Sequence, residues 1–300
     1  MFDITPTLDC NGRALKLDRP RICGILNLTE DSFSGDGLHG DVDAAVAQGV
    51  AMVEAGADML DIGAESTRPG ATAVAASDEI ACVAPVIEAL AKRVQVPISI
   101  DTSKPEVMRA AVAAGAGFIN DVYALRREGA LDAAAELKVP VCLMHMQGEP
   151  GTMQDDPRYD DVVGEVHRFL AERVFACEMS GIDKRRVLVD PGFGFGKTLE
   201  HNLALLRALD RFAGFGAGVF AGLSRKAMIG ALTGRERGAD RAAGSAAAAM
   251  IAVQRGAVLV RVHDVAATRD ALAVWQAVHA GDAAPKVAAK PFGSQRFGDD

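Results

Sequence analysis

Short apolar runs that each end in a polar cluster recur along the chain, with stretches of helical character between them. The eight runs are ICGILN (22–27), MLDIGAESTRPG (59–70), PISIDTSKPE (97–106), GFINDV (117–122), PVCLMHMQG (140–148), RVLVDPGFGFGK (186–197), GVFAGLSRK (218–226) and AVLVRVHD (257–264). Continuous apolar runs that alternate with helices are typical of parallel strands buried on both faces. The pattern therefore predicts an α/β fold, a single (β/α)8 TIM barrel whose functional groups gather at the C-terminal ends of its strands.

The two ends of the chain differ from this repeating pattern. Asn11-Gly12 lies between short alternating runs, which predicts an N-terminal β-hairpin, and we expect the hairpin to cover the N-terminal mouth of the barrel. From Gly281 onward the sequence is rich in Pro, Gly and Ala and offers little to bury. We predict one barrel domain over residues 1–281 and a flexible tail over residues 282–300.

Composition narrows the class of protein. The net charge of −8 argues against a nucleic-acid binder, which would usually carry a basic face, and no apolar segment is long enough to span a bilayer. The N-terminus lacks the basic and apolar regions of a signal peptide. The five cysteines have no metal or redox spacing, and Cys23 and Cys142 lie within apolar strands. We therefore expect reduced core thiols and a cytoplasmic protein.

Basic and hydroxyl groups end the last two predicted strands. Arg261 and His263 lie two residues apart in RVHD, and Ser224 and Lys226 lie two apart in LSRK, so each pair shares one face of its strand. The loops after strands seven and eight often bind phosphate in this fold. An arginine beside an imidazole suits a phosphate or pyrophosphate. A salt bridge at the rim is the alternative for a lone arginine, but four such groups on adjacent strands favour an anion site.

Carboxylate and amide groups end three other strands. Asp101 ends strand three, Asn120 and Asp121 end strand four, and Asp190 ends strand six, so we expect all of them to point into one space above the barrel. They can accept hydrogen bonds from a flat heterocycle, to which Lys226 could donate. Asp101 could instead cap the helix that starts near Pro105. The walls of such a pocket would come from Met144, Phe195 and Gly222.

Three further features of the sequence, namely Asn27, a glycine-rich run and a pair of long connections, have two possible interpretations each. Asn27, at the end of strand one, is either a turn residue or an oxygen ligand to Mg²⁺ beside the pyrophosphate. The run DPGFGFGK lacks the spacing of a P-loop and fits better a tight turn lining a planar ligand. The long connections 29–40 and 66–76 are either plain insertions or functional lids, and their Asp, Ser, Thr and Arg content favours lids.

Taken together, these motifs resemble the dihydropteroate synthase family of the folate pathway. The matching blocks are GILNLTEDSFSGDG, DIGAESTRPG, SIDTSKPEV, FINDV, CLMHMQG, DPGFGFGK, SRKAMIG and RVHDV, in the family's order across residues 21–265. The resemblance implies a (β/α)8 enzyme that joins 6-hydroxymethyl-7,8-dihydropterin pyrophosphate to p-aminobenzoate. It also implies release of pyrophosphate, a requirement for Mg²⁺, a homodimer and inhibition by sulfonamides.

The resemblance also implies roles for individual residues. Asp101, Lys226, Arg68 and His263 would carry the chemistry, and Asn27 would hold the metal. The pterin would be bound by Asp101, Asn120, Asp190 and Lys226, in a pocket shaped by Met144, Phe195 and Gly222. The pyrophosphate would be bound by Arg68, Arg261 and His263. The p-aminobenzoate site would be formed or bordered by Phe33, Thr67, Pro69 and Ser224.

The chain departs from the family pattern at three places. Glu30 stands in place of a usual proline, Ser34-Gly35-Asp36-Gly37 replaces Ser-Asp-Gly-Gly, and Ala64 replaces a glycine. These changes bear on loop flexibility and remove no implied ligand.

Two other functions share part of this pattern. A pterin-binding methyltransferase domain that uses methyltetrahydrofolate and a corrinoid partner would not need STRPG, SRK and RVHD. A non-catalytic pterin-binding paralogue would be expected to lose Lys226, Arg68 or His263, which are present.

Overall fold

The computed structural model describes residues 6–28, 41–66 and 74–279. Eight parallel strands close into a barrel in the order β10-β3-β4-β5-β6-β7-β8-β9, which confirms the predicted (β/α)8 fold. The barrel strands are β3 Arg21–Asn27, β4 Met59–Gly63, β5 Ile98–Asp101, β6 Phe118–Asp121, β7 Val141–Met144, β8 Val187–Asp190, β9 Gly218–Ala221 and β10 Ala257–Val262. The predicted tail, residues 282–300, lies outside the described residues.

Nine α-helices in the described part of the chain follow the strands. They are α1 Val42–Glu54, α2 Ala76–Ala91, α3 Pro105–Ala114, α4 Ala130–Leu137, α5 Val162–Met179, α6 Leu199–Arg207, α7 Ala227–Thr233, α8 Ala242–Gln254 and α9 Val265–His279. Helix α7 was not predicted from the sequence, because its seven residues contain Gly230 and are followed by Gly234, which gives a pattern typical of a loop. None of the described helices combines the length and the apolar character needed to cross a membrane.

The predicted N-terminal hairpin consists of β1 Thr7–Cys10 and β2 Arg13–Lys16. Asn11 and Gly12 both have positive φ, 56° and 81°, as the tight turn between two antiparallel strands requires. The hairpin packs closely against the barrel: a Cβ on Gly117 would lie 2.2 Å from the carbonyl oxygen of Cys10. The Arg13 guanidinium also donates to the carbonyl oxygens of Val96 and Ala91. The hairpin therefore closes the N-terminal end of the barrel, as predicted.

Apolar side chains fill both sides of the barrel wall. One large cluster lies between the strands and the surrounding helices and includes Ala64, one of the departures from the family pattern. A second cluster joins the hairpin to the interior of the barrel; its buried members are Leu8, Cys10, Leu15, Cys23, Met59, Phe118, Cys142, Leu188, Phe220 and Leu259. All five cysteines are free, and Cys23 and Cys142 are buried core residues, as predicted.

Candidate active site

The interior of the barrel changes from apolar to polar toward the C-terminal ends of the strands. Side chains two residues apart on a strand point the same way, so the residues two places beyond the apolar interior cluster form the next layer. We call this the upper layer. It comprises Ile25, Asp61, Asn120, Met144, Asp190, Gly222 and Arg261, together with Asp101, which lies two places beyond the buried Ser99 on β5. Five of these residues were predicted from the sequence to line the heterocycle pocket and Arg261 to belong to the anion site, and the structure brings those six together.

Arg261 is the centre of the upper layer's charged contacts. Its Nε donates to Asp61 Oδ2 at 2.5 Å, and its Nη2 donates to Asp101 Oδ2 at 2.8 Å. Asn120 Nδ2 donates to the same Asp61 oxygen at 3.1 Å. Asp101 is thus paired with an arginine, and helix α3 begins with no side-chain cap. The alternative role of Asp101 as a helix cap is therefore wrong.

Asp61 was missed in the sequence analysis, although it holds this cluster together. Its side chain is fully buried, and its Oδ1 has no hydrogen-bond partner among the residues that the structure describes. Burial of a carboxylate is costly unless the charge is paired, which explains its contact with Arg261. The available signal was a single charged residue inside the apolar run MLDIG, two places after the interior residue Met59.

Asp121 was predicted to face the same space as Asn120, and this prediction is wrong. Its Oδ1 accepts a hydrogen bond from the Tyr123 amide at 2.8 Å, and its Oδ2 accepts one from the Leu125 amide at 2.7 Å. Neighbouring residues on a strand point to opposite faces, so only one of the two can enter the barrel. Asp121 stabilises the turn that follows β6.

Lys226 and Asp190 lie close together around Gly222. A Cβ at Gly222 would lie 3.6 Å from Asp190 Oδ2 and 3.9 Å from Lys226 Nζ. Lys226 Nζ donates to the Phe193 carbonyl oxygen and lies 4.6 Å from the centre of the Phe195 ring. Asp190 Oδ1 accepts from the Gly192 amide at 2.7 Å. An acid, a base and an aromatic ring thus surround a space that glycine leaves open.

Burial shifts the pKa values of Asp101, Asp190 and Lys226. It raises the pKa of Asp101 to about 7, and the attraction of Arg261 opposes that rise. Burial also raises the pKa of Asp190, with Lys226 acting in the opposite direction. It lowers the pKa of Lys226 to about 8, although Asp190 favours the charged form. Groups with pKa values moved toward neutrality are typical of functional sites.

The glycine-rich run after β8 forms a tight turn against the loop after β7. Gly192, Gly194 and Gly196 have φ values of 71°, 79° and 61°, which side-chain-bearing residues rarely adopt. A Cβ on Gly192 would lie 1.8 Å from the His145 carbonyl oxygen. The turn presents Phe195 beside an apolar cluster that contains Val122, Tyr123, Met144, Met146 and Met153. Met144 and Phe195 therefore contribute to one apolar wall.

Ser224 and His263 are in contact between the ends of β9 and β10. The His263 backbone amide donates to Ser224 Oγ at 3.1 Å, and the His263 Nδ1 lies 3.0 Å from the same oxygen. Arg261 lies two residues before His263 on the same strand face. The four groups predicted to bind an anion thus end adjacent strands, but Lys226 contacts Phe193 and Phe195, whereas Ser224 contacts His263.

Of the remaining predicted site residues, only Asn27 lies within the described part of the chain. Asn27 ends β3, which pairs with both β10 and β4, and its side chain is half-buried. Phe33, Thr67, Arg68 and Pro69 lie outside the described residues. The same holds for most of the two predicted lids, 29–40 and 66–76.

Comparison with known proteins identifies the family to which the chain belongs. The chain matches the family of pterin binding enzymes over residues 23–263. It is 50% identical over 273 residues to the dihydropteroate synthase of Escherichia coli strain K12, with 90% of this chain and 95% of the relative covered.

Two solved structures of Xanthomonas albilineans dihydropteroate synthase are similar over nearly their whole length. The structure with 4-aminobenzoic acid is 64% identical, with a TM-score of 0.87, and the match covers 92% of this chain and 99% of that chain. The complex with 7,8-dihydropteroate is 61% identical, with a TM-score of 0.83 and coverage of 92% and 99%. On its sequence and its fold, the chain belongs to the dihydropteroate synthase family of pterin binding enzymes.

Proposed function

We propose that the upper layer and the adjoining Ser224–His263 contact form a dihydropteroate synthase active site. The reaction joins 6-hydroxymethyl-7,8-dihydropterin pyrophosphate to p-aminobenzoate, giving 7,8-dihydropteroate and pyrophosphate. The observation that carries this proposal is the junction at Arg261. Its guanidinium contacts the carboxylates of Asp61 and Asp101 on one side, and its strand leads to His263 on the other. One residue therefore connects a carboxylate-lined pocket to an anion site.

The pterin ring would occupy the space beside Gly222. Asp190 and the amide oxygen of Asn120 would accept hydrogen bonds from N–H groups at the edge of the ring, and Lys226 would donate to a ring oxygen or nitrogen. Met144 and Phe195 contact its faces. The methylene carbon that becomes the electrophile gains positive charge as the carbon–oxygen bond breaks, and the carboxylate of Asp101 opposes that charge.

The leaving pyrophosphate would be bound at the ends of the last two strands. Arg261 and His263 stabilise the negative charge that develops on the departing oxygen, with Arg68 as a third cationic group. The amino group of p-aminobenzoate is a nucleophile without help from a strong base. Phe33, Thr67, Pro69 and Ser224 would border its site.

Mg²⁺ is the proposed metal, with the side-chain oxygen of Asn27 as its protein ligand. Mg²⁺ is commonly bound by one or two protein oxygens together with substrate phosphates. The donor set fits this pattern: the half-buried amide of Asn27 ends a strand adjacent to that of Arg261. Within the described residues no group of three or more His, Cys, Asp or Glu side chains is placed to hold a metal. When bound, the ion would neutralise charge on the pyrophosphate.

Release of pyrophosphate tests this function directly. With the pterin pyrophosphate and Mg²⁺ present, we expect rapid release only after p-aminobenzoate is added, in equal amounts with 7,8-dihydropteroate. Methyl transfer from methyltetrahydrofolate to a corrinoid acceptor would indicate the methyltransferase alternative. Pterin binding without turnover would indicate the non-catalytic alternative. Either result would contradict the synthase function.

We also propose that the protein is a homodimer and that it is located in the cytoplasm. Several large apolar side chains on the outer helices are exposed, and contact with a second copy of the chain would bury them. They are Phe175, Met179, Leu232, Ile251, Val274 and Val278. The five free cysteines suit a reducing compartment. Sedimentation equilibrium should give a dimer mass, and a monomer mass at micromolar protein would rule the dimer out.

A further inference from the structure

Arg225 has an unusual backbone conformation between two residues of the candidate site. Its φ is 58°, in the left-handed region that residues other than glycine seldom adopt. The preceding residue, Ser224, contacts His263, whereas the following residue, Lys226, contacts the Phe193 carbonyl oxygen. The conformation of Arg225 thus directs one flanking side chain toward the anion site and the other toward the pterin pocket.

Helix α8 and the turn before it hold the backbone of Arg225 in place. The Arg225 amide donates to Ser245 Oγ at 2.9 Å, and its carbonyl oxygen accepts from Arg241 Nη1 at 2.9 Å. Ser245 Oγ in turn donates to the Arg241 carbonyl oxygen at 2.7 Å. Arg241 and Ser245 are both buried. The surrounding structure therefore specifies the left-handed conformation, as such conformations require.

The Arg225 side chain makes a bidentate ion pair with the residue after His263. Nε donates to Asp264 Oδ2 at 3.0 Å and Nη2 donates to Asp264 Oδ1 at 2.6 Å. The two side chains are only 14% and 16% exposed. This parallel, two-bond geometry fixes both the distance and the orientation of its partners. The loop after β9 is thereby attached to the end of β10, one residue away from the Ser224–His263 contact.

We propose that Arg225 and Asp264 are a positioning pair that aligns Ser224 and His263 for pyrophosphate and the acceptor substrate. This inference rests on the proposed function of His263. The pair acts through its neighbours: the Arg225 guanidinium is directed at Asp264, whereas Ser224 and His263 meet at the strand ends. Its effect is geometric: it keeps two strand ends in register, and misplacement of a binding group by about 1 Å can cost about 100-fold in rate.

The test compares the affinity for two probes in folded variants. Arg225→Gln and Asp264→Asn should each weaken calorimetric binding of inorganic pyrophosphate with Mg²⁺ by about 10- to 100-fold. Both should leave the affinity for 6-hydroxymethylpterin within about 2-fold, because Asp190 and Asn120 lie on β8 and β6, and Lys226 is held separately by the Phe193 carbonyl oxygen. In steady-state assays the KM for the pterin pyrophosphate should rise more than kcat falls.

A variant in which Arg225 and Asp264 are exchanged distinguishes a loss of positioning from general damage to the structure. Arg225→Asp combined with Asp264→Arg should recover part of the pyrophosphate affinity lost by either change alone, since Asp tolerates the left-handed region and the pair can form again. Arg237→Gln is the matched control. It removes a bidentate pair with Asp240 that has the same geometry but lies in an exposed turn, and it should change neither affinity.

Three patterns of results would overturn the inference. If Arg225→Gln and Asp264→Asn bind pyrophosphate normally while His263→Ala does not, the positioning role is wrong and the proposed site stands. If all three bind it normally, the proposed pyrophosphate site fails, and the positioning role fails with it. Equal losses for pyrophosphate and pterin would indicate a damaged barrel end and would also overturn the positioning role.

Discussion

Replacement of Arg261 by methionine should lower the free energy of unfolding by about 3–5 kcal/mol at pH 8. The change leaves two carboxylates without their guanidinium partner, and that of Asp61 is fully buried. Methionine keeps most of the apolar stem, so loss of packing contributes little. Chemical denaturation monitored by circular dichroism measures the difference, and activity should be lost at the same time because the anion site loses its central cation.

The loss of unfolding free energy in Arg261→Met should depend on pH. Burial raises the pKa of Asp101 to about 7 even with Arg261 present, above the value of about 3.9 for an unfolded chain. Without the arginine the folded pKa should lie higher still. A raised carboxyl pKa contributes stability below the unfolded pKa that is lost as the pH rises through the folded one, so the deficit should be larger at pH 8 than at pH 5. A pH-independent deficit would contradict this account.

A control for Arg261 uses an arginine whose ion pair is exposed. Arg237→Met removes the pair with Asp240, in which the arginine side chain is 82% exposed. Exposed pairs of this kind contribute little to stability. The denaturation midpoint should therefore stay almost unchanged, which would attribute the loss in Arg261→Met to the buried carboxylates.

Replacement of Asp190 by asparagine should weaken pterin binding by about 1–3 kcal/mol, because a charged hydrogen bond to the ring is lost. Asp190 is buried and its Oδ2 faces the space at Gly222 near Lys226. The variant also removes the carboxylate that favours the protonated form of Lys226. Calorimetric titration with a pterin analogue measures the effect, and an unchanged affinity would exclude Asp190 from the pterin site.

Asp121→Asn is the matched control for this prediction. Asp121 is also a buried carboxylate at the end of a strand, but it accepts hydrogen bonds from the Tyr123 and Leu125 amides on the outer side of the barrel. Asparagine can keep only part of these bonds, so stability should fall. Pterin affinity should not change, because no atom of Asp121 faces the pocket.

The sequence allowed the strands and the hairpin to be predicted because both depend on local pattern. Apolar runs buried on both faces identified all eight barrel strands, and Asn11-Gly12 identified the turn. Helix α7 was missed because a seven-residue helix with an internal glycine has no apolar period long enough to detect. The role of Asp61 was overlooked because a lone carboxylate within an apolar run does not indicate its partner, which lies 200 positions away.

The sequence allowed individual residues of the site to be predicted but not the contacts between them. The acids and bases of the last strands were identified because each ends an apolar run. The contacts of Arg261 with Asp61 and Asp101 join residues 200 and 160 positions apart. They depend on closure of the barrel between β10 and β3, and a one-residue change in strand register would exchange Asn120 for Asp121 inside the pocket. Such geometry follows from tertiary structure alone.

The position of Arg261 on the last strand has a consequence for biosynthesis. As the chain leaves the ribosome, Asp61 and Asp101 emerge long before the arginine that neutralises them. Until β10 docks between β9 and β3, the barrel is open and its interior carries uncompensated negative charge. Closure of the fold and assembly of the anion site are therefore one event, so a nascent chain or a fragment truncated before β10 has neither the complete barrel nor the site.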